Sequence, residues 1–259
     1  MIDLSLVLSL FIVIVGTLIV LRVVPPVGFD RQRISEAAST PLLVGFVASR
    51  AVFLLFDDPG SLTRFRDIMV FRSGLEFWAG LVVAVSFCVW QNRRAPEGPL
   101  NLLAAGVPYL LVGLAFYEGA CLLRDGCLGP TSSAGITPYG LTQPMIPVGL
   151  VVALAFMVSA WLLRRNQTMS SFAKLSVALA VVGGVRALAS WYLPAIGSSR
   201  VGMESIVAFL VGMLAWAISL QTSKQSSAAI PVLNRAEDQP SGDGETFIKR
   251  AADFQKLIK

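Results

Sequence analysis

Histidine is absent from all 259 residues of this chain. Its absence excludes histidine-based acid/base catalysis, histidine ligation of haem, HExxH zinc sites and Ser-His-Asp triads. The sequence also contains no GxxxxGK[ST] loop and no GxGxxG fingerprint, so nothing in it indicates nucleotide chemistry. Arginine, carboxylates, cysteine, tyrosine and the backbone are the groups that remain for chemistry.

Charge is scarce as well. Only 14% of the residues are charged, 55% are hydrophobic and the mean hydropathy is +0.70, values outside the range of soluble domains. Seven apolar stretches are each close to the roughly 18 to 20 residues that cross a hydrocarbon core of about 30 Å. The sequence therefore predicts an all-α polytopic membrane protein with seven transmembrane helices. The predicted spans are 4–21, 41–56, 77–91, 100–117, 145–163, 175–192 and 205–219.

The basic residues alternate between the loops on the two sides of these spans. One set of loops holds nine and the opposite set holds five, so the positive-inside rule predicts an outer N-terminus and a cytoplasmic C-terminus. A net charge of +5 spread over short loops does not indicate nucleic-acid binding. The start Met1-Ile2-Asp3 lacks the cationic region of a signal peptide, which predicts a retained first helix. The larger set is Arg22, Arg31, Arg33, Arg93, Arg94, Arg164, Arg165, Lys174 and Lys224, and the smaller is Arg64, Arg66, Arg72, Arg124 and Arg200.

The composition divides the chain into a membrane domain, residues 1–220, and a polar cytoplasmic tail, residues 221–259. Within the tail, 246–259 has the pattern of a basic amphipathic helix on anionic lipid, with a disordered tail as the alternative. After the turn signal at 57–60, apolar residues at helical spacing predict an outer interfacial helix, with a solvated loop as the alternative.

Four ionisable residues lie inside or at the rim of the spans: Arg50, Glu76, Glu118 and Arg186. A charge at a helix centre costs about 2.5 to 3.5 kcal/mol on insertion scales, so such residues are typically paired or functional. Two arginines facing one cavity would suit the phosphate of a phospholipid head group. An internal ion pair, for instance Arg50 with Glu76, is the alternative.

Three segments resemble the bacterial prolipoprotein diacylglyceryl transferases. Residues 44–81, VGFVASRAVFLLFDDPGSLTRFRDIMVFRSGLEFWAGL, are similar to the family's Gly-x-x-x-x-Arg-Leu helix, short outer arm and Gly-Gly-Leu-x-Phe-[His/Tyr]-Gly-Gly-Leu motif. Residues 119–129, GACLLRDGCLG, resemble its Arg-Ile-Gly-[Asn/Cys]-Phe-x-Asn-Gly-x-x-x-Gly signature, and 142–144 resemble its Thr-Gln before the next helix. The resemblance implies seven spans with an outer N-terminus, in the bacterial plasma membrane.

The resemblance also implies a reaction, the transfer of a diacylglyceryl group from phosphatidylglycerol to the lipobox cysteine thiol of a preprolipoprotein. Such a reaction needs no metal and no redox cofactor. Arg50 and Arg186 would hold the phosphate, and Arg124 and Glu118 would act at the mouth of the cavity. The residues expected to shape the substrate-binding loop are Gly126, Gly129 and Gln143.

This chain departs from the family pattern at polar positions. Glu118 replaces the arginine that begins the signature, Trp78 replaces the His or Tyr, and Ser190 replaces the acid of the sixth helix. Residues 145–146, Met-Ile, stand where the family has Tyr-Glu. A non-catalytic or different-substrate lipid-handling relative is therefore an alternative function. Glu118 could then be a structural partner of Arg124 or Arg186.

Two other classes of function have a basis in the sequence. Cys121 and Cys127 could form a small outer disulfide loop, as in a membrane thiol oxidoreductase, although redox sites usually have Cys-x-x-Cys spacing. A channel or transporter would use Pro108 and the glycine pairs to break helices, but the spans show no repeat symmetry. Cys88 is expected to be a buried apolar residue.

Overall fold

The computed structural model describes residues 4–56, 60, 76–124, 127–137, 142–192 and 199–237. The structure is mostly helical, 80%, and its described residues form seven α-helices. The helices are α1 Leu4–Val23, α2 Arg31–Phe56, α3 Phe77–Gln91, α4 Pro99–Gly119, α5 Val148–Arg165, α6 Ser171–Tyr192 and α7 Ser199–Glu237. A short 3-10 helix, Ala120–Arg124, and one strand, β1 Thr131–Ile136, lie between α4 and α5.

Five segments of these helices are long and apolar enough to cross a bilayer, as in a multi-pass membrane protein. They are Arg31–Phe56, Pro99–Leu123, Val148–Arg165, Ser171–Tyr192 and Gly202–Gln221. Two shorter apolar segments accompany them, Leu8–Val23 within α1 and Phe77–Gln91, which is α3. All seven predicted spans thus coincide with helices, five of which have the full length of a span.

The first turns of α2 extend the helix beyond its predicted start. The helix begins at Arg31, and Pro41, predicted as its first residue, lies inside it. Ile34 and Ala37 are buried, and the Cys88 thiol of α3 lies 3.6 Å from the Ala37 carbonyl oxygen as a hydrogen-bond donor. Packing on α3 therefore stabilises a polar segment that hydropathy alone excludes from the span.

The last helix also exceeds its predicted end. The helix α7 continues to Glu237, past the predicted boundary between the membrane domain and the tail. The chain divides into two compact units, Met1–Trp216 and Ala217–Lys259, so the division falls within α7. The predicted amphipathic helix at 246–259 and the predicted interfacial helix after residue 60 lie outside the described residues.

The apolar core of the first unit lies between α4, α5 and α6. Leu111 of α4 and Phe156 of α5 are completely buried, and Val182 of α6 packs in the same cluster. Pro108 is inside α4, next to this core. The core places the carboxyl ends of α4 and α6 on the same side of the bundle as the start of α5.

Small residues allow α2 and α3 to approach closely. A Cβ atom on Gly80 would lie 2.7 Å from the Ser49 Cβ, and one on Gly45 would lie 2.7 Å from the Ala84 Cβ. Both distances are far below van der Waals contact, so neither position has space for a side chain. This is the small-residue packing typical of membrane helices, where dispersion contacts replace the hydrophobic effect.

Three of the helix connections meet at one end of the bundle. Arg33 of α2 pairs with Glu97 at 3.8 Å, and the Ser171 hydroxyl donates to Asn101 Oδ1 at 2.6 Å. Arg164 of α5 donates to the Pro25 carbonyl at 3.3 Å. The loops that contain most of the larger basic set are therefore neighbours in space.

At the opposite end, backbone hydrogen bonds link the described parts of the connection from α4 to α5. Strand β1 forms antiparallel bridges with Met145, and the Ser132 amide donates to the Pro144 carbonyl at 2.9 Å. The Gly129 amide donates to the Ile146 carbonyl at 2.8 Å. The segment TSSAGI has no clear alternation of polar and apolar residues, so sequence reasoning did not predict the strand.

Candidate functional site

The centre of the candidate site is Arg186, which lies between an acid and an aromatic ring. Its Nη1 lies 3.1 Å from Glu118 Oε1, and its guanidinium carbon lies 4.0 Å from the centre of the Phe77 ring. The two charged side chains are only 13% and 7% exposed, respectively. The site therefore joins the second half of α6, the last turn of α4 and the first turn of α3.

The partner of Glu118 is thus Arg186, one of the two arginines that the sequence left as alternatives. Burial makes this pairing necessary, because an isolated charge in a low-dielectric interior carries a large desolvation cost. The face of Phe77 adds a cation–π contact, which is stronger where water is excluded. The side chain of Arg124, the other alternative and a predicted catalytic residue, lies outside the described part of the structure.

Arg50 is also buried, at 6% exposure, and its guanidinium carbon lies 5.5 Å from the centre of the Phe53 ring. The start of α3 approaches the same turn of α2, because the Glu76 amide donates to the Ser49 carbonyl at 3.3 Å. Since Phe77 contacts Arg186, residues 76–77 connect the two turns that contain the predicted phosphate-binding arginines.

Trp78 has a structural role that its position in the sequence did not indicate. Its indole Nε1 donates to the Ser205 hydroxyl of α7 at 3.2 Å, and its ring packs edge-on against Phe77 at 5.1 Å between centroids. Trp78, at the position where the resembling family has His or Tyr, therefore links α3 to α7. Sequence reasoning missed both Phe77 and Ser205, because a phenylalanine and a serine in apolar helices give no signal of their own.

A disulfide between Cys121 and Cys127 closes the loop that follows Glu118, with 5.6 Å between the Cα atoms. Both cysteines are buried. Gly149 at the start of α5 lies against this loop, since a Cβ there would be 2.7 Å from the Glu118 carbonyl oxygen and 3.0 Å from the Cys127 Cβ. The two cysteines and the first turn of α5 thus lie next to the ion pair.

The other predicted site residues are placed differently. Gly129 is buried, and a Cβ there would lie 2.6 Å from Val148 Cγ2, so this position has no space for a side chain. Gln143 is exposed on the loop surface. Gly126 lies outside the described residues.

At two positions where the resembling family has an acidic residue, this chain has no carboxylate. These positions are Ser190 and the Met-Ile pair at 145–146. The Ser190 hydroxyl donates to the Ala187 carbonyl in its own helix at 2.7 Å. Met145 is bridged to β1 through its backbone. Within the described residues, no group of three or more cysteine, aspartate or glutamate side chains could hold a metal ion.

Neither the protein-family models nor the curated proteins contain a match to this chain. The candidate site is defined by the Glu118–Arg186 ion pair, the turn of α2 that contains Arg50 and the Cys121–Cys127 disulfide.

The disulfide gives a first prediction. When the protein is denatured without reductant, only Cys88 of the three cysteines is expected to react with an alkylating reagent, and all three should react after reduction. Mass spectrometry of the alkylated chain measures both numbers. A Cys88→Ala variant is the control and should show no reactive thiol before reduction. Three reactive thiols in the unreduced sample would contradict the disulfide.

Proposed function

We propose that the chain is a prolipoprotein diacylglyceryl transferase-like enzyme of the bacterial plasma membrane. It would transfer a diacylglyceryl group from phosphatidylglycerol to a lipobox cysteine. The observation that carries the proposal is the position of Arg186, which contacts one residue within a segment of family resemblance and one directly before another. Phe77 belongs to the 44–81 segment, and Glu118 immediately precedes the 119–129 segment. Segments far apart in the sequence thus meet around one buried cation.

The proposed topology has seven spans, an outer N-terminus and a cytoplasmic C-terminus. Support comes from the grouping of the α1–α2, α3–α4 and α5–α6 connections at one end of the bundle, where the larger basic set lies. The positive-inside rule assigns this end to the cytoplasm. The ion pair and the disulfide loop then lie at the outer end, where the compartment permits disulfides.

The proposed reaction is a nucleophilic substitution at the glycerol carbon that is esterified to phosphate. The cysteine sulfur forms a bond to this carbon as the carbon–oxygen bond breaks. The products are a thioether-linked diacylglyceryl cysteine and glycerol phosphate, and the thiol proton ends on the leaving phosphate. Negative charge develops on the phosphate oxygens, so fixed cationic donors would lower the barrier.

Arg186 and Arg50 are the proposed donors to this phosphate. The ion pair uses Nη1 of Arg186, and a guanidinium carries five N–H groups, so the pair is compatible with further hydrogen bonds to a ligand. The proposed role of Glu118 is to keep the Arg186 guanidinium oriented through their ion pair and to accept the thiol proton in transit. Arg124, Gly126, Gly129 and Gln143 belong to the segments that the acceptor peptide would meet first.

A non-catalytic lipid-handling relative is the second candidate, and one observation favours it. Glu118 already neutralises Arg186, which lowers the positive potential available to a phosphate. The third candidate, a thiol oxidoreductase, has less support, because both cysteines of the disulfide are buried and a partner thiol must reach one sulfur.

A transfer assay with the purified protein tests the proposal. Incubation with phosphatidylglycerol and a lipobox peptide is expected to give a thioether-linked diacylglyceryl peptide, detected by mass spectrometry. The Arg50→Gln variant should lose at least about 100-fold in rate, in the range for loss of one preorganised charge-stabilising donor. Arg94→Gln, at an exposed arginine, is the matched control and should retain the wild-type rate.

Two outcomes would contradict the transferase. One is the lack of product under conditions in which an active transferase of the family forms it. The other is a full rate in folded Arg50→Gln protein. Retention of phosphatidylglycerol binding without product would favour the non-catalytic relative.

A further inference from the structure

Three arginines lie at the end of the bundle opposite the Glu118–Arg186 pair. Arg31 begins α2, and Arg164 and Arg165 end α5. Within the described part of the chain, none of the three has a carboxylate oxygen within 4.0 Å, whereas Arg33 at the same end pairs with Glu97. Asp30 precedes Arg31 in the chain but is exposed and joins no such pair. The cluster therefore carries positive charge that the described residues do not neutralise.

Neighbouring helices hold this cluster in place. The buried Tyr109 of α4 donates its hydroxyl hydrogen to the Val24 carbonyl at 2.8 Å. Arg164 Nη2 donates to the adjacent Pro25 carbonyl at 3.3 Å, and both Arg164 and Arg31 interact electrostatically with the Tyr109 hydroxyl. The Arg164 guanidinium is thus fixed where α1, α4 and α5 meet.

Arg164 also has an unsatisfied donor. Its Nε is buried and has no hydrogen-bond partner among the described residues. A buried donor without a partner is costly, and the cost is larger for a charged group. Because the charge is delocalised over the guanidinium, an anion bound at its accessible nitrogens would offset part of this cost.

The surroundings have the composition of a membrane–water interface. Trp161 is exposed one turn before the end of α5, and the Arg165 guanidinium lies 5.3 Å from its ring centre. Arg93 stacks similarly on the exposed Trp90 of α3, at 5.7 Å. Tryptophans are enriched at the depth of lipid head groups. The exposed apolar face of α5 continues from Trp161 through Val158 and Leu154 toward the middle of the helix.

We propose that Arg31, Arg164 and Arg165 bind the phosphate of an anionic phospholipid, whose acyl chains pack on the exposed face of α5. The guanidinium fork matches phosphate oxygens and can bind them in pairs. Free phosphate offers the same oxygens, but it would leave the adjacent apolar face uncovered, and this favours the lipid. The site lies at the end of the bundle opposite the proposed transfer site and does not depend on transferase activity.

Native mass spectrometry of the full chain, delipidated in detergent, tests the proposal. Titration with phosphatidylglycerol should give at least one bound lipid whose affinity falls about fivefold in Arg164→Gln and in Arg31→Gln, in line with the usual contribution of one basic residue. The double variant should lose about 25-fold. Arg94→Gln is the control, since it removes an exposed arginine from the same end of the bundle. Phosphatidylcholine has the same phosphate but no net charge, so its binding should depend less on Arg31 and Arg164 than the binding of phosphatidylglycerol does.

The variants also separate this site from the transfer site and from free phosphate. Arg50→Gln should leave the Arg164-dependent lipid in place. Inorganic phosphate without lipid should not raise the melting temperature of the wild type, and a rise that Arg164→Gln abolishes would assign the site to free phosphate and overturn the lipid proposal. Arg31 is exposed at a helix start, so its variant is expected to fold and reports on charge alone. If both glutamine variants bind phosphatidylglycerol as tightly as Arg94→Gln, the proposal is wrong.

Discussion

Replacement of Arg186 with glutamine is expected to abolish the proposed diacylglyceryl transfer and to lower the free energy of unfolding by about 3–5 kcal/mol, because Glu118 is left as an uncompensated buried charge. Glu118→Gln should be destabilised by a similar amount for the reciprocal reason. The double variant Glu118→Gln/Arg186→Gln should recover much of the lost stability, since it buries no charge. Thermal and denaturant unfolding of the four proteins in one detergent gives the coupling energy directly.

The activity of the same four proteins separates a structural from a catalytic role. If the pair only stabilises the bundle, the double variant should recover activity together with stability. If Arg186 holds the phosphate, the double variant should be stable and inactive. Single variants as stable as the wild type would contradict the ion pair itself, and Arg94→Gln controls for the loss of an arginine at the surface.

The second large effect is expected at the crossing of α2 and α3. Gly80→Ala would place a methyl group 2.7 Å from the Ser49 Cβ and 2.9 Å from the Gly45 carbonyl oxygen, so the helices must separate. Overpacking of this kind costs about 1–3 kcal/mol. The change would also move residues 76–77 relative to Arg50, and transfer activity should fall with stability.

Gly106→Ala is the matched control for this prediction. Gly106 also lies inside a helix, but a Cβ there meets nothing within 4 Å. Alanine is a better helix former than glycine by roughly 0.5–1 kcal/mol, so Gly106→Ala should be as stable as the wild type or more stable. Equal melting temperatures for the two alanine variants would contradict the close approach of α2 and α3.

The limits of a helix were predictable from the sequence where polar residues flank an apolar run on both sides. The predicted third span and α3 have the same limits, 77–91, because Glu76 precedes the run and Asn92 follows it. The start of α2 was not predictable from hydropathy, since its first ten residues are mostly polar and only contacts with α3 show that one face is buried. The extension of α7 into a polar segment and the strand β1 were also not predictable from the sequence. Neither segment has a clear periodic pattern of apolar residues.

The site was predictable in its ionisable residues but not in their pairing. The cost of charge in a bilayer identifies Arg50, Glu118 and Arg186 from the sequence alone. Whether Glu118 meets Arg124 or Arg186 depends on the rotation of α4 against α6, which the packing around Leu111 and Phe156 determines. The roles of the aromatic residues at the start of α3 depend on the same packing.

The end of the bundle that contains the disulfide has a thermodynamic consequence for binding. The disulfide, the bridges from β1 to Met145 and the contact of Gly149 with the Glu118 carbonyl all restrain the connection between α4 and α5. The conformational entropy of these restrained residues is therefore lost during folding rather than when a ligand arrives. A lipid or peptide that binds beside Glu118 needs to order only itself, so its affinity should depend mainly on the flexibility of the ligand.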